Sequence, residues 1–158
     1  MSQLIKTIIL TSLLGYAFIF SKAQTNENFN WDKVMDAVTF VESRGQANAY
    51  NPKSNCAGVL QITPICVAEC NNILKAKGKT ERYTLKDRYN VQKSREMFVL
   101  IQEKHNPTND IERAIRMWNA GPGYTKNLRI TDGYYKKVMA KYREIVGNEE
   151  VTMNEGGN

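Results

Sequence analysis

A chain of 158 residues is the length of one ordinary domain, and 42% hydrophobic residues are enough to give it a core. The formal charge of +6 suits an anionic polymer or plain solubility, but no Lys/Arg run interleaves with aromatics, so nucleic acid is not an expected partner. One histidine and three cysteines fit no zinc spacing, and neither a metal nor a cofactor is expected.

The first segment reads as a leader. "MSQLIK" contributes a lysine, "IILTSLLGYAFIF" is mostly apolar, and "SKAQ" offers small residues at Ser21 and Ala23. That order predicts a secretory signal peptide over residues 1–23, with an uncleaved anchor as the alternative. The apolar run is short for a membrane span, so no stable anchor is expected once the leader is cleaved. A domain over 24–146 and a flexible tail over 147–158 would remain, as an exported, periplasmic or secreted monomer.

The remainder reads as mainly α, with at most a short hairpin. A helix is expected over 31–44, with Val34, Val38 and Val41 inward, Asn30 as N-cap and Gly45 just past the end. Residues 46–62 are a loop rich in Asn, Gly, Pro and Ser, in which a hairpin over 48–62 fits. Thr63–Pro64 is a helix start, an N-cap followed by proline at the first helical position. Cys66, Cys70, Ile73 and Leu74 follow at helical spacing, and Gly78 ends the run. The next helix is expected over 89–104, with Val91, Ser94, Phe98 and Ile101 inward. A short one over 110–119 presents Ile111, Ala114, Ile115 and Trp118, and "AGPG" stops it. The last helix is expected to begin near Gly133 and to bury Tyr135, Val138, Met139, Tyr142 and Ile145.

The cysteines Cys56, Cys66 and Cys70 all follow the leader, so export would permit a disulfide. Cys66 and Cys70 are four apart on one helix, with Cβ atoms about 5–6 Å apart, wide for a bridge. Cys56 pairing with Cys66 or Cys70 is therefore the expectation.

Glu42 is the sharpest chemical signal. It neighbours Val38 on the apolar stripe of its helix and lies just before the helix stops. A carboxyl there is partly desolvated, which raises its pKa and suits it to general acid work. The competing reading is a rim residue paired with Arg44 or a lysine. In "GVLQITP", Gly58 lets backbone approach a ligand closely, and Gln61 offers a donor and acceptors. In "WNAGPG", Trp118 reads as core and Asn119 with Gly121 as a helix C-cap, with backbone there free to face a ligand. Tyr134, alone, reads as packing.

The order of these segments is more specific than any one of them. Glu42–Ser43, then "GVLQITP", then "NVQ" (90–92), then "WNAGP", then "GYYKKV" resembles the soluble lytic transglycosylase family, over about residues 32–142. The resemblance implies a lysozyme-like helical domain that cleaves peptidoglycan glycan strands. It places the catalytic glutamate at Glu42 and substrate contacts at Ser43, Gly58, Gln61, Asn119, Ala120, Gly121 and Tyr134. It implies cleavage between N-acetylmuramic acid and N-acetylglucosamine with 1,6-anhydro ring closure. A hydrolytic muramidase like goose-type lysozyme, or a wall-binding protein with a dead site, are the alternatives. The chain departs from the family pattern at Trp118 (commonly Tyr), Ile130 (often acidic), Ser94 (Gly) and the three cysteines. With Ile130 apolar, Glu69 and Asp132 are the candidates for a second carboxylate.

Overall fold

The computed structural model describes residues 29–126 and 128–155; the expected leader lies outside them. Helix α1 spans Asp32–Ser43, followed by an antiparallel hairpin of β1 (Tyr50–Asn51) and β2 (Cys56–Ala57). Then come α2 (Pro64–Ala76), a 3-10 turn (Leu85–Tyr89), α3 (Val91–His105), α4 (Ile111–Ala120), a second 3-10 turn (Tyr124–Lys126) and α5 (Leu128–Glu155). The protein is a mainly helical domain with one two-stranded hairpin, as its sequence implies.

The helix boundaries have local causes. Thr63 Oγ1 accepts from the Cys66 backbone N–H at 3.1 Å, with Pro64 at the first helical position, as expected for that sequence. Asn90 and Asp110 cap α3 and α4 in the same way, accepting from the N–H groups of Lys93 and Arg113. Asn90 is therefore the cap, and α3 begins after it rather than at Tyr89. Asn30 is one residue early as a cap for α1: its Oδ1 accepts from Asp32 N–H at 2.8 Å, while Trp31 occupies the capping position. Arg44 and Gly45 then turn left-handed in succession, with φ 55° and 81°, and end α1.

Helix α1 packs chiefly on α5, which also covers α4, while α2 packs on α3. Val34, Val38, Leu60, Ile62, Phe98, Ile115 and Val138 fill the space between them and are out of contact with water. An aromatic series runs through this core, from Trp31 to Phe98 (5.9 Å between ring centres) to Trp118 (4.7 Å). Val91, expected inward, is exposed at the first position of α3, while Ser94 in the same turn is buried.

Two expectations at the C-terminal end are corrected. Helix α5 starts at Leu128, one turn before Gly133. Arg116 on α4 reaches across to Thr131 Oγ1 (2.8 Å) and Asp132 Oδ1 (2.7 Å), and these bonds hold the first turn despite the cost of roughly 1 kcal/mol for an internal glycine. The same helix continues to Glu155, so residues 147–155 are helical and not a loose tail; no proline interrupts the hydrogen-bond ladder there.

The expected disulfide is absent: all three cysteines are free. Cys70 faces the core, with Sγ 3.6 Å from the Met97 carbonyl. Cys56 and Cys66 are half-buried and unbridged.

Arg88 fastens the hairpin and the glutamine loop to the 3-10 turn. Its buried guanidinium donates to the carbonyls of Asn55 (2.6 Å), Ile62 (3.2 Å) and Leu85 (2.8 Å). Its own carbonyl accepts from Ser94 Oγ at 2.9 Å, which gives the buried serine on α3 a partner. The same carbonyl lies against Gly58. A Cβ on Gly58, whose φ is +77°, would sit 1.7 Å from that oxygen. Gly58→Ala therefore has no room and a strained backbone, and it should destabilise the domain by about 3 kcal/mol or more in urea unfolding. A loss under about 0.5 kcal/mol would contradict this packing.

Candidate functional site

Glu42 is the penultimate residue of α1, where the helix leaves the core and meets α5. Tyr134, on the first turns of α5, donates its hydroxyl to Glu42 Oε1 at 2.7 Å. Burial pushes the Glu42 carboxyl above the usual carboxylate range, and the Tyr134 bond partly offsets that. Burial, and then the Glu42 charge beside it, push the Tyr134 phenol far above its ordinary value, so it stays a donor. With Oε1 accepting from tyrosine, no hydrogen bond among the described residues meets Oε2. Arg44, the alternative partner for Glu42, instead lies over the Phe40 ring at 4.5 Å.

The next residue, Ser43, is buried. Its hydroxyl reaches the Val59 carbonyl at 2.8 Å and the Thr39 carbonyl at 3.2 Å. It ties the end of α1 to the glutamine loop, and it is not among the residues that line the cleft beside Glu42. Gly58 likewise serves close backbone packing, because the Arg88 carbonyl occupies the space beside it.

Gln61 has φ 49°, a left-handed conformation that turns its side chain back under the loop. Its amide nitrogen donates to Gly58 O at 3.0 Å and Ala49 O at 3.4 Å, which leaves the amide oxygen as its free acceptor. Glu42, Gln61, Asn119 and Gly121 line one open cleft of about 540 Å³, a normal size for a ligand site. Ala120 is exposed but is not part of the cleft wall, and Tyr134 stands behind Glu42. Among the described residues, then, folding brings together the early acid and glutamine with the late asparagine, glycine and tyrosine.

Some cleft residues were not singled out as site residues in the sequence. Trp118 was read as core alone, yet it also lines the cleft, and its indole N–H donates to Leu60 O at 3.1 Å. Its place just before "NAGP" was the available signal. Ile65 projects into the opening with 81% exposure. Of the two second-carboxylate candidates, Asp132 pairs with Arg116 and lies outside the cleft wall. Glu69 lines the cleft, in contact with Lys104 (2.7 Å) and His105 (2.9 Å), whose bonds hold its carboxyl below the usual range. Tyr135, adjacent to Tyr134, faces away, with its ring 4.4 Å from the Arg116 guanidinium.

A lysozyme-like helical domain with a half-buried acid at the edge of an open cleft defines the class. Residues 18–139 match the family model of the transglycosylase SLT domain, and the chain belongs to that family. Its members are lytic transglycosylases, which act on peptidoglycan outside the cytoplasm. No curated protein matches the chain. No helix among the described residues is long and apolar enough to cross a membrane.

The raised Glu42 pKa has a measurable sign. A carboxyl with a folded-state pKa above its unfolded value contributes most stability below the unfolded pKa, and that contribution is lost as pH rises through the folded one. Glu42→Gln has no such titration. The melting temperature of Glu42→Gln relative to wild type should therefore rise between pH 4 and pH 8. A difference, variant minus wild type, that stays flat or falls over that range would show that Glu42 is not desolvated.

Proposed function

We propose that the protein is an exported peptidoglycan lytic transglycosylase that uses Glu42 as its single acid and base. Glu42 gives its proton to the glycosidic oxygen between N-acetylmuramic acid and N-acetylglucosamine. The C1–O bond breaks, and the substrate's own N-acetyl oxygen stabilises the positive centre. The Glu42 carboxylate then takes the proton of the muramic C6 hydroxyl, whose oxygen closes on C1. A 1,6-anhydro end forms, no water is consumed, and the acid is restored. The observation that carries this reading is the desolvated Glu42 carboxyl, bonded by Tyr134 at 2.7 Å at the edge of the cleft. One group can serve both steps because they occur in sequence, and a raised pKa suits the first of them.

Glu69 gives a second reading some support. Ordinary glycosidases use two carboxylates, one neutral and one ionised, and here a depressed carboxyl lines the same cleft as a raised one. In that case the products would carry reducing ends, formed by water.

Mass spectrometry of digested peptidoglycan separates the two, since an anhydro end lacks the mass of one water. We expect anhydro products from the wild-type protein and a loss of turnover of at least about 10²-fold in Glu42→Gln, with its fold intact. Wall cleavage retained in that variant would remove Glu42 from the mechanism. Tyr134→Phe should lower turnover with little loss of stability, because it frees Oε1 and the rotamer of the acid. Tyr135→Phe keeps its ring beside Arg116 and should leave turnover nearly unchanged; equal effects of the two substitutions would contradict the assignment.

A further inference from the structure

The wall of the cleft formed by α2 and α3 holds a charged cluster that the reaction above does not use. Ile65, Cys66 and Glu69 present one face of α2 to the opening, and His105 closes it from the end of α3. Glu69 Oε1 takes both protein donors, Lys104 Nζ and His105 Nε2. Among the described residues no donor meets Glu69 Oε2. The side chain retains 29% exposure, so that oxygen is reachable from the cleft.

We propose that Glu69, clamped by His105 and Lys104, is a substrate-binding residue that accepts a hydrogen bond through Oε2 from a hydroxyl or acetamido N–H of the bound glycan. The proposal rests on the glycan-cleaving reading of the same cleft and assigns it a specificity-determining contact.

The chemistry follows from the two carboxyls of the cleft being in different states. Glu42 is held toward its neutral form, and the bonds from Lys104 and His105 favour the ionised form of Glu69. An ionised carboxylate only accepts, and a bond from a neutral donor to it is stronger than one between neutral groups. The two clamping bonds fix the carboxylate plane, so a ligand meets Oε2 already oriented. A sugar ring bearing free hydroxyls and an N–H group satisfies this acceptor. A carboxylate on a peptide substituent has no donor to offer it. The position therefore favours an N-acetylglucosamine unit with no acidic substituent directed at α2. As a mere ion pair between half-exposed side chains, Glu69 with Lys104 would contribute little to the protein.

The test is titration calorimetry with a β-1,4-linked N-acetylglucosamine tetramer, alongside steady-state kinetics on soluble glycan strands. For Glu69→Gln we expect the tetramer to bind about tenfold more weakly and KM to rise by about the same factor, with kcat within about twofold of wild type. Unchanged binding and KM in a folded Glu69→Gln, beside a wild type that binds and cleaves, would overturn the assignment of Glu69 and leave the function standing. A wild type that neither binds the tetramer nor cleaves glycan would overturn both. If Glu69→Gln does not fold, the side-chain carboxyl carbon resonance of Glu69 in the wild-type protein serves instead. A shift on adding tetramer supports the contact, and an unmoved resonance at saturation overturns it.

Discussion

Arg88 carries a full charge into a nearly closed site, and among the described residues no carboxylate accompanies it. A buried charge is costly unless it is hydrogen-bonded, and here Nε and Nη1 donate to three backbone carbonyls from three separate segments. Two of those, Asn55 and Ile62, bracket the loop that holds Gln61. The loop is therefore stapled at both ends to the 3-10 turn before α3. Gly58 lies between the staples, where the chain runs so close to the Arg88 carbonyl that no side chain fits. The position of Gln61 opposite Glu42 is a consequence of this anchoring more than of any preference of the loop itself.

The other half of the site is the seam between α1 and α5. Glu42 lies where α1 is covered by α5, so its carboxyl loses water on one side and keeps the cleft on the other. Tyr134 replaces part of the lost hydration with one oriented hydroxyl. Its own place depends on Arg116, which pins Thr131 and Asp132 at the start of α5 and so fixes which face of that helix meets α1. Tyr135, one residue on, is turned by about 100° and meets Arg116 instead. A small change in the register of α5 would exchange the two tyrosines. The bond to Glu42 thus reports on packing along much of the domain.

The cleft combines opposite demands on its two carboxyls. Glu42 is surrounded by few polar groups and is driven toward neutrality, while Glu69 has two cationic or hydrogen-bonding partners and is driven toward charge. The environments come from different elements, α1 with α5 for one and α2 with α3 for the other. The opposite states of the two carboxyls are in this sense a property of the helix layout.

The sequence makes most of the helices and their order legible, because period, caps and stop residues act locally. Thr63–Pro64, Asp110 and the Arg44–Gly45 turn each set a boundary within a few residues of themselves. It also pointed to Glu42, since a carboxyl on an apolar stripe is a conflict visible in one turn of helix, and the order of weak motifs identified the family. The tertiary structure decided what depends on distant partners. Ser43 and Gly58 were legible as motif residues, but one is spent on the Val59 carbonyl and the other on the approach of Arg88. Cys70 meets the Met97 carbonyl only once α2 packs on α3. The early start of α5 needed a guanidinium twelve or more residues away, and the Glu69 cluster joins positions 35 and 36 residues apart. Side chains that meet only after the chain has closed on itself leave no periodic trace in the sequence, and that is why Glu42 could be read from its own helix, while Glu69 could be named as a candidate carboxylate but not with its Lys104 and His105 partners.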